Sequence, residues 1–203
     1  MAGCVGSTRT VLRPKVRSAV PLQDTGAYNP PMPVVNNATR ILDARKIPYT
    51  LYSLPREKLS AQETARLLGA PPELVYKTIV VTRENARHPL LVLVPADSVV
   101  DLKKVAAALG VKRVRLPGER EAETLTGLEA GGISPLLLLN RGFRVLIDVS
   151  ARALPAIHVS AGQRGLNLKL RVEHLADVTG AQFADVSMIA EGEKPKAEKR
   201  TSP

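Results

Sequence analysis

The sequence predicts a single α/β domain in which helices surround a mixed β-sheet. Two observations support this class. Segments with helical spacing alternate with apolar runs of strand length between residues 37 and 179, and some neighbouring runs are joined by hairpin-type connections. The length of 203 residues is enough for one sizeable hydrophobic core.

The first half of this domain is predicted to contain three helices and three strands. Ala38, Ile41 and Leu42 have helical spacing and predict a helix over 37–46. A capping box at Ser60–Glu63 begins a helix that ends at Gly69, and Asp101 caps a third helix that ends at Gly110. The predicted strands are Tyr49–Leu54, Tyr76–Thr82 and Leu90–Val94, with Glu84–Pro89 as the turn between the last two.

The second half is predicted to contain four strands and two helices. The strands are Lys112–Leu116, Phe143–Asp148, Ala156–Ser160 and Leu166–Val172, and the helices are Glu119–Leu125 and about 173–179. His158 lies in an apolar strand, which favours a core or edge histidine over a metal ligand. Asp148 ends a strand, where the cap of a turn or helix is favoured over a role in acid–base chemistry.

The two ends of the chain differ in composition from the region between them. Residues 1–31 have scattered Arg, Ser and Thr without the apolar stretch of a secretory signal, and they predict a disordered tail or a start codon placed too early. The charged stretch over 188–203 predicts a disordered C-terminal tail. The folded domain is therefore expected over 32–187.

Composition limits the classes of function. A net charge of +10 and a pI of about 10.0 favour a polyanionic partner such as RNA, whereas 3% aromatic residues argue against base stacking as the mode of recognition. The single cysteine, Cys4, and histidines without ligand spacing predict neither a metal nor a cofactor. No apolar run reaches the roughly 18 residues of a membrane span, so a cytoplasmic protein without a membrane partner is expected.

Two stretches carry the strongest chemical signal. Lys77 stands at the start of a buried strand, where its ammonium is costly unless it reaches water or an anion; it is either a cation directed into a cleft or a lysine whose head returns to solvent at a strand end. The loop Gly131-Gly132-Ile133-Ser134-Pro135 can present backbone N–H groups to an oxyanion or phosphate, or it can be only a tight turn.

A third stretch follows a predicted strand. Ser160 ends the strand, Arg164 stands in a turn shaped by two glycines, and Asn167 begins the next strand. Polar residues at strand ends are frequent in binding sites, and an arginine there can bind phosphate. The alternative is a hairpin whose glycines serve the turn alone.

Together, these stretches resemble the YbaK/prolyl-tRNA-editing family of aminoacyl-tRNA deacylases. The resemblance covers about Ala38 to Asp185. Its ordered pieces are Val75-Tyr76-Lys77-Thr78, Asp101–Ala106, Thr126-Gly127 followed by Gly131–Pro135, and Val159-Ser160 followed by Arg164-Gly165-Leu166. The chain departs from the family at Asn167, where Asp is frequent, and at Leu136–Leu139, where a glycine commonly follows the loop proline.

The resemblance implies a barrel-like mixed sheet and an enzyme that hydrolyses the ester of mischarged tRNA in trans, with Cys-tRNA(Pro) or a similar species as substrate. It implies the acceptor end of tRNA as partner, with prolyl-tRNA synthetase as a second candidate partner. The implied catalytic residues are Lys77, Gly131, Gly132 and Ser134. The implied substrate-binding residues are Thr78, Ile133, Pro135, Ser160, Arg164 and Asn167.

Two other functions stay open at this point. One is a non-catalytic module that binds tRNA ends or aminoacyl groups. The other is a small-molecule esterase or nucleotide-ligand domain that does not bind RNA.

Overall fold

The structure is a computed structural model that describes residues 36–83 and 89–190. These residues lie in one unit of the chain. The predicted N-terminal tail, most of the predicted C-terminal tail and residues 84–88 of the predicted turn lie outside the described residues.

Five α-helices are present in the described residues, and their ends follow from local sequence. They are α1 (Asn37–Ala44), α2 (Ala61–Leu68), α3 (Leu102–Leu109), α4 (Glu119–Thr126) and α5 (Val172–Thr179). The Ser60 side chain accepts a hydrogen bond from the Glu63 N–H and the Glu63 side chain accepts one from the Ser60 N–H, which completes the predicted capping box. Short 3-10 helices span Pro72–Leu74, Pro135–Arg141 and Val149–Ala153.

Nine strands form three sheets in the same residues. The strands are β1 (Tyr49–Ser53), β2 (Tyr76–Val81), β3 (Leu90–Pro95), β4 (Ser98–Val100), β5 (Arg144–Asp148), β6 (Ala156–Ser160), β7 (Leu166–Arg171), β8 (Gln182–Ala184) and β9 (Ser187–Ile189). The sheet orders are β1-β7-β6, β2-β3-β5-β8 and β4-β9.

The pairing confirms a mixed sheet. Strand β3 is antiparallel to β2 and parallel to β5, which is in turn parallel to β8. The three-stranded sheet is antiparallel throughout. A parallel bridge between Val75 and His158 links the two larger sheets, so β6 runs beside β2. In the described residues no strand pairing joins β1 to β8.

The core lies between these sheets and the helices packed on them. Its largest cluster contains fully buried side chains from β3, β6 and β7, among them Leu93, Ile157 and Leu168, and helices α1 and α5 add Leu42 and Leu175. This core confirms the predicted α/β class and holds the ends of β2, β6 and β7 in fixed positions.

Three sequence expectations need correction. The predicted strand Lys112–Leu116 is not a strand: Arg115 alone makes an isolated bridge, to Thr82, because Lys112 and Arg113 are exposed and no neighbouring strand pairs with the segment. Strands β4, β8 and β9 were not predicted. Pairing of β9 with β4 continues the ordered chain to Ile189, beyond the predicted domain end at 187.

Candidate active site

A cavity of about 230 Å³ lies where strand β2, the start of helix α2, the glycine loop and the adjoining ends of β6 and β7 meet. Six of the residues singled out from the sequence line it: Lys77, Thr78, Gly131, Ile133, Ser160 and Asn167. The fold therefore brings all three predicted stretches to one cavity. None of the described residues that line it is acidic.

Lys77 supplies the positive charge of the cavity. It lies in β2 opposite Val94, and its Nζ donates to the carbonyl oxygen of Ala96 at 3.5 Å. Burial lowers the pKa of the Lys77 ammonium, and the nearby Asp97 carboxylate partly offsets this effect. Lys77 is thus a half-buried cation with one long hydrogen bond, and it can bind an anionic or strongly polar group of a ligand.

The glycine loop contributes backbone donors. A turn is closed by a hydrogen bond from the Gly132 N–H to the Glu129 carbonyl at 2.8 Å, and Gly131 has a φ of +84°. A positive φ at the third position alone is the pattern of a type II turn, which favours glycine. The N–H groups of Gly131 and Ile133 make no hydrogen bond with the described residues, and both residues line the cavity.

Ser160 and Asn167 form the opposite edge of the cavity. They face each other in the register of β6 and β7. The Gly162 N–H donates to Ser160 Oγ at 3.2 Å, which leaves the Ser160 hydroxyl free to donate. Asn167 Oδ1 lies 3.2 Å from His158 Nδ1, and with a neutral His158 protonated at Nδ1 the ring donates to the amide oxygen.

His158 has the buried structural role that the sequence favours. It is 3% exposed, and its ring centroid lies 5.2 Å from that of Tyr52. Burial lowers the pKa of the His158 imidazole, the hydrogen bond to Asn167 opposes this, and Lys169 lowers it further. A neutral imidazole thus orients Asn167, whose amide nitrogen has no partner among the described residues and can donate to a ligand.

Four of the predicted site residues do not reach the cavity lining. Ser134 and Pro135 are buried at the start of the 3-10 helix, and Ser134 is 0% exposed, so direct contact with a substrate is not supported. A Cβ at Gly132 would lie 3.0 Å from the backbone of Gln163 and Arg164, so close packing favours a glycine at this position. Arg164 is bound to the glycine loop from outside the cavity.

The other lining residues were not predicted as site residues, although Val75 and Tyr76 belong to the stretch that contains Lys77. They are Leu59, Ala61, Thr64, Val75, Tyr76 and Ile79. Ala61 and Thr64 are three residues apart at the start of α2, so helical spacing places them on one face. Their contact with the cavity depends on how α2 packs, which local sequence does not specify.

Two further properties of the described residues bear on function. Residues 36–83 and 89–190 contain no group of three or more His, Cys, Asp and Glu placed to hold a metal ion. None of the helices in these ranges is both long enough and apolar enough to span a membrane.

Comparison with known families identifies the family of this chain. The family model of the aminoacyl-tRNA editing domain matches residues 56–178, more than half of the chain. This chain belongs to the aminoacyl-tRNA editing domain family. The matched range includes every residue of the described cavity lining. The activity predicted from the sequence, editing of aminoacyl-tRNA by deacylation, is confirmed at the level of the family.

Individual relatives point the same way. The Enterococcus faecalis protein named "Putative Cys-tRNA(Pro)/Cys-tRNA(Cys) deacylase EbsC" is 34% identical over 153 residues, which are 74% of this chain and 92% of that protein. The proline–tRNA ligase of Aquifex aeolicus is 26% identical over 132 residues, 65% of this chain but 23% of the ligase.

Two solved structures share the fold. A hypothetical protein superposes with a TM-score of 0.69 at 26% identity, covering 75% of this chain and 100% of its own. A protein described as "a putative trans-editing enzyme for prolyl tRNA synthetase" superposes with a TM-score of 0.64 at 25% identity, covering 77% of this chain and 99% of its own.

Proposed function

We propose that this protein hydrolyses, in trans and in the cytoplasm, the ester between a mischarged amino acid and tRNA, with Cys-tRNA(Pro) or a similarly small aminoacyl ester as substrate. One observation carries the proposal: Lys77 lines the same cavity of about 230 Å³ as Gly131 and Ile133, whose N–H groups make no hydrogen bond with the described residues. The name of the Enterococcus relative supports cysteine as the amino acid.

These groups suit ester cleavage. An aminoacyl ester is already activated, so orientation and stabilisation of the developing oxyanion can supply much of the rate. In this proposal the N–H groups of Gly131 and Ile133 donate to the carbonyl oxygen. Lys77 holds the end of the tRNA beside the ester, and Asn167 and Ser160 bind the aminoacyl group from the opposite edge.

The lack of a carboxylate in the described cavity lining favours a nucleophile that the substrate or the solvent supplies. No acidic side chain is among the described lining residues, so no carboxylate there can activate water as a general base. The thiol of a cysteinyl substrate can attack its own ester carbonyl: the C–S bond of a cyclic thiolactone forms, the C–O bond to ribose breaks, and the thiol proton passes to the leaving ribose oxygen. Water then opens the thiolactone to free cysteine. The alternative is direct attack by water, to which the protein contributes only orientation and oxyanion stabilisation.

The selection of tRNA is expected to need more than this cavity. The stretch shared with the Aquifex ligase is 23% of that enzyme, so most of a synthetase has no counterpart in the match. We propose that this chain binds the acceptor end and the amino acid, and that prolyl-tRNA synthetase as partner supplies tRNA identity.

The test is deacylation of a panel of charged tRNAs by the wild type, Lys77→Ala and Lys103→Ala. Lys103 is an exposed lysine on α3 and serves as a matched control for loss of charge. We expect selective release by the wild type and Lys103→Ala and loss of release in Lys77→Ala, with circular dichroism showing an intact fold. Intact esters across the panel with the wild type would contradict the enzyme and favour a binding module.

A pair of nearly isosteric substrates distinguishes attack by the substrate thiol from attack by water. Cys-tRNA(Pro) and Ser-tRNA(Pro) differ only in one side-chain atom, which is sulfur in cysteine and oxygen in serine. Thiol assistance predicts much faster release of cysteine than of serine, whereas attack by water predicts similar rates.

A further inference from the structure

The glycine loop is held from outside the cavity by a pair of charged side chains. Arg164 Nε donates to the carbonyl oxygen of Ala130 at 2.7 Å. The N–H of Ala130 donates to Glu123 Oε1 at 2.8 Å. Arg164 also lies 3.9 Å from Glu123 Oε1 and 3.8 Å from Glu129 Oε2. The two hydrogen bonds fix the peptide groups on both sides of Ala130.

The bond to the Ala130 carbonyl also sets the direction of a donor. Ala130 and Gly131 share one peptide group, and the described residues contain no cis peptide. In a trans peptide the C=O and N–H point in opposite directions. Since the Ala130 oxygen faces Arg164, the Gly131 N–H points away from Arg164.

Type I and type II turns differ mainly by a flip of this central peptide. In the type II form seen here, with Gly131 at φ +84°, the Ala130 oxygen meets the guanidinium. A flip to the type I form would break that bond and reverse the Gly131 N–H. A charge-assisted hydrogen bond is stronger than a neutral one, so Arg164 favours the type II form.

We propose that Arg164 is a positioning residue that fixes the Ala130–Gly131 peptide and thereby directs the Gly131 N–H at the substrate carbonyl. The proposal rests on the proposed deacylase function. It replaces the expectation that Arg164 binds a substrate phosphate, because the guanidinium is occupied by the Ala130 oxygen with two carboxylates nearby, and Arg164 is absent from the described cavity lining.

The experiment compares Arg164→Leu and Arg164→Lys with Arg115→Leu. Arg115 forms a bidentate ion pair with Glu121. Glu121 lies on α4, as Glu123 does, but among the described residues it makes no hydrogen bond to the glycine loop. We expect Arg164→Leu to lower kcat about 10- to 100-fold with KM changed less than about twofold. Arg164→Lys should recover part of the loss, and Arg115→Leu should behave as the wild type.

A rise in KM with unchanged kcat would instead identify Arg164 as a substrate-binding group and overturn the proposal. So would unchanged kinetics in Arg164→Leu.

A second measurement does not depend on activity. Amide hydrogen exchange in the free protein should become faster at Ala130 and Gly132, whose N–H groups are hydrogen-bonded in the wild type, in Arg164→Leu and stay unchanged in Arg115→Leu. Unchanged exchange in both variants would overturn the proposal. If the wild type deacylates no tRNA, the proposed function fails, and the exchange result still decides whether Arg164 holds the loop.

Discussion

Gly162 lies so close to Leu137 that a Cβ at Gly162 would be 2.7 Å from Leu137 Cγ and closer still to Cδ1. Leu137 belongs to the 3-10 helix that follows the glycine loop, and the Gly162 N–H donates to Ser160 Oγ. The Leu137 side chain, in the run Leu136–Leu139, is therefore accommodated because Gly162 has no side chain. This contact joins the 3-10 helix that follows the glycine loop to the turn between β6 and β7.

We expect Gly162→Ala to lower the free energy of unfolding by about 1–3 kcal/mol, because Gly162 has a φ of +97° and the new methyl group overlaps Leu137. Urea denaturation measures the change. Gly180→Ala is the matched control, since Gly180 also has a positive φ of +60° but no atom within 4 Å of the added Cβ. Equal losses in both variants would show that backbone strain alone is responsible and that the contact with Leu137 contributes nothing.

A double-mutant cycle tests the contact directly. Leu137→Ala removes the atoms that the new methyl group meets. The double variant should therefore be more stable than the sum of the single changes predicts, by at least about 0.5 kcal/mol.

Lys77 is expected to destabilise the folded protein at neutral pH. Burial lowers its pKa in the folded state, so the unfolded chain binds this proton more tightly, and stability rises as pH passes from the folded to the unfolded pKa. Lys77→Met, which keeps the aliphatic stem, should increase the free energy of unfolding at pH 7 by up to about 1 kcal/mol.

Urea denaturation at pH 7 and at about pH 11, above the unfolded pKa of lysine, checks this prediction. The stability gain of Lys77→Met should shrink at the higher pH, because the penalty for burying the charged lysine is relieved there. Lys103→Met changes an exposed lysine and should have no such pH-dependent effect. A loss of stability at pH 7 in Lys77→Met would contradict the prediction.

Most elements of this fold could be predicted because their signals are local. Ser60 with Glu63 begins α2, and Gly69, at a φ of +61°, ends it. The alternation in Lys112–Leu116 was misleading, because a strand also needs a partner and only Arg115 finds one. Strands β4, β8 and β9 have three residues each, too few to show a period of two.

The site also contains residues that the sequence could indicate and residues that it could not. The sequence brought Lys77 and Gly131 forward because the family resemblance favoured the site interpretation of both, which local sequence alone left open, and both line the cavity. The position of Arg164 could not be found, since its acceptor, the Ala130 oxygen, is 34 residues away in the chain. The same holds for Ser134, whose complete burial depends on the packing of the following 3-10 helix.

The protein should lose stability as the pH falls below about 6.5, and His158 should cause part of this loss. Burial, opposed by the Asn167 hydrogen bond and aided by Lys169, lowers the pKa of its imidazole in the folded state. Below the unfolded pKa the unfolded chain therefore binds a proton that the folded chain does not. Stability falls until the pH reaches the folded pKa.

His158→Gln should reduce this dependence, because an amide keeps a donor for Asn167 but does not titrate. Urea denaturation at pH 7.5 and pH 5 measures the slope, and an NMR titration of the His158 ring in the wild type gives its pKa directly. A His158 pKa at or above its usual value would contradict the prediction.

Asp148 stabilises the strand that carries Lys77, through a chain of hydrogen bonds. Its Oδ1 accepts from the Ser150 N–H at 3.0 Å and from Ser150 Oγ at 2.7 Å, and Ser150 Oγ lies 2.9 Å from the Tyr76 hydroxyl. Its Oδ2 accepts from the Val186 N–H at 3.2 Å. Burial raises the pKa of this carboxyl, but the hydrogen bonds from Ser150, Val186 and Ser187 together outweigh it, and the net shift is downward.

Asp148→Asn should therefore lower the free energy of unfolding at pH 7 by about 1–3 kcal/mol, since an amide cannot accept at both positions. Because the folded pKa is the lower one, the stability that Asp148 provides is present above its unfolded pKa and is lost as the pH falls through the folded value. The difference between the wild type and Asp148→Asn should accordingly narrow towards pH 3. Asp177→Asn, an exposed carboxylate on α5, is the control and should change stability by less than about 0.5 kcal/mol. If Asp148→Asn were as stable as the wild type at pH 7, the hydrogen-bond chain to Tyr76 would not contribute to the stability of the site.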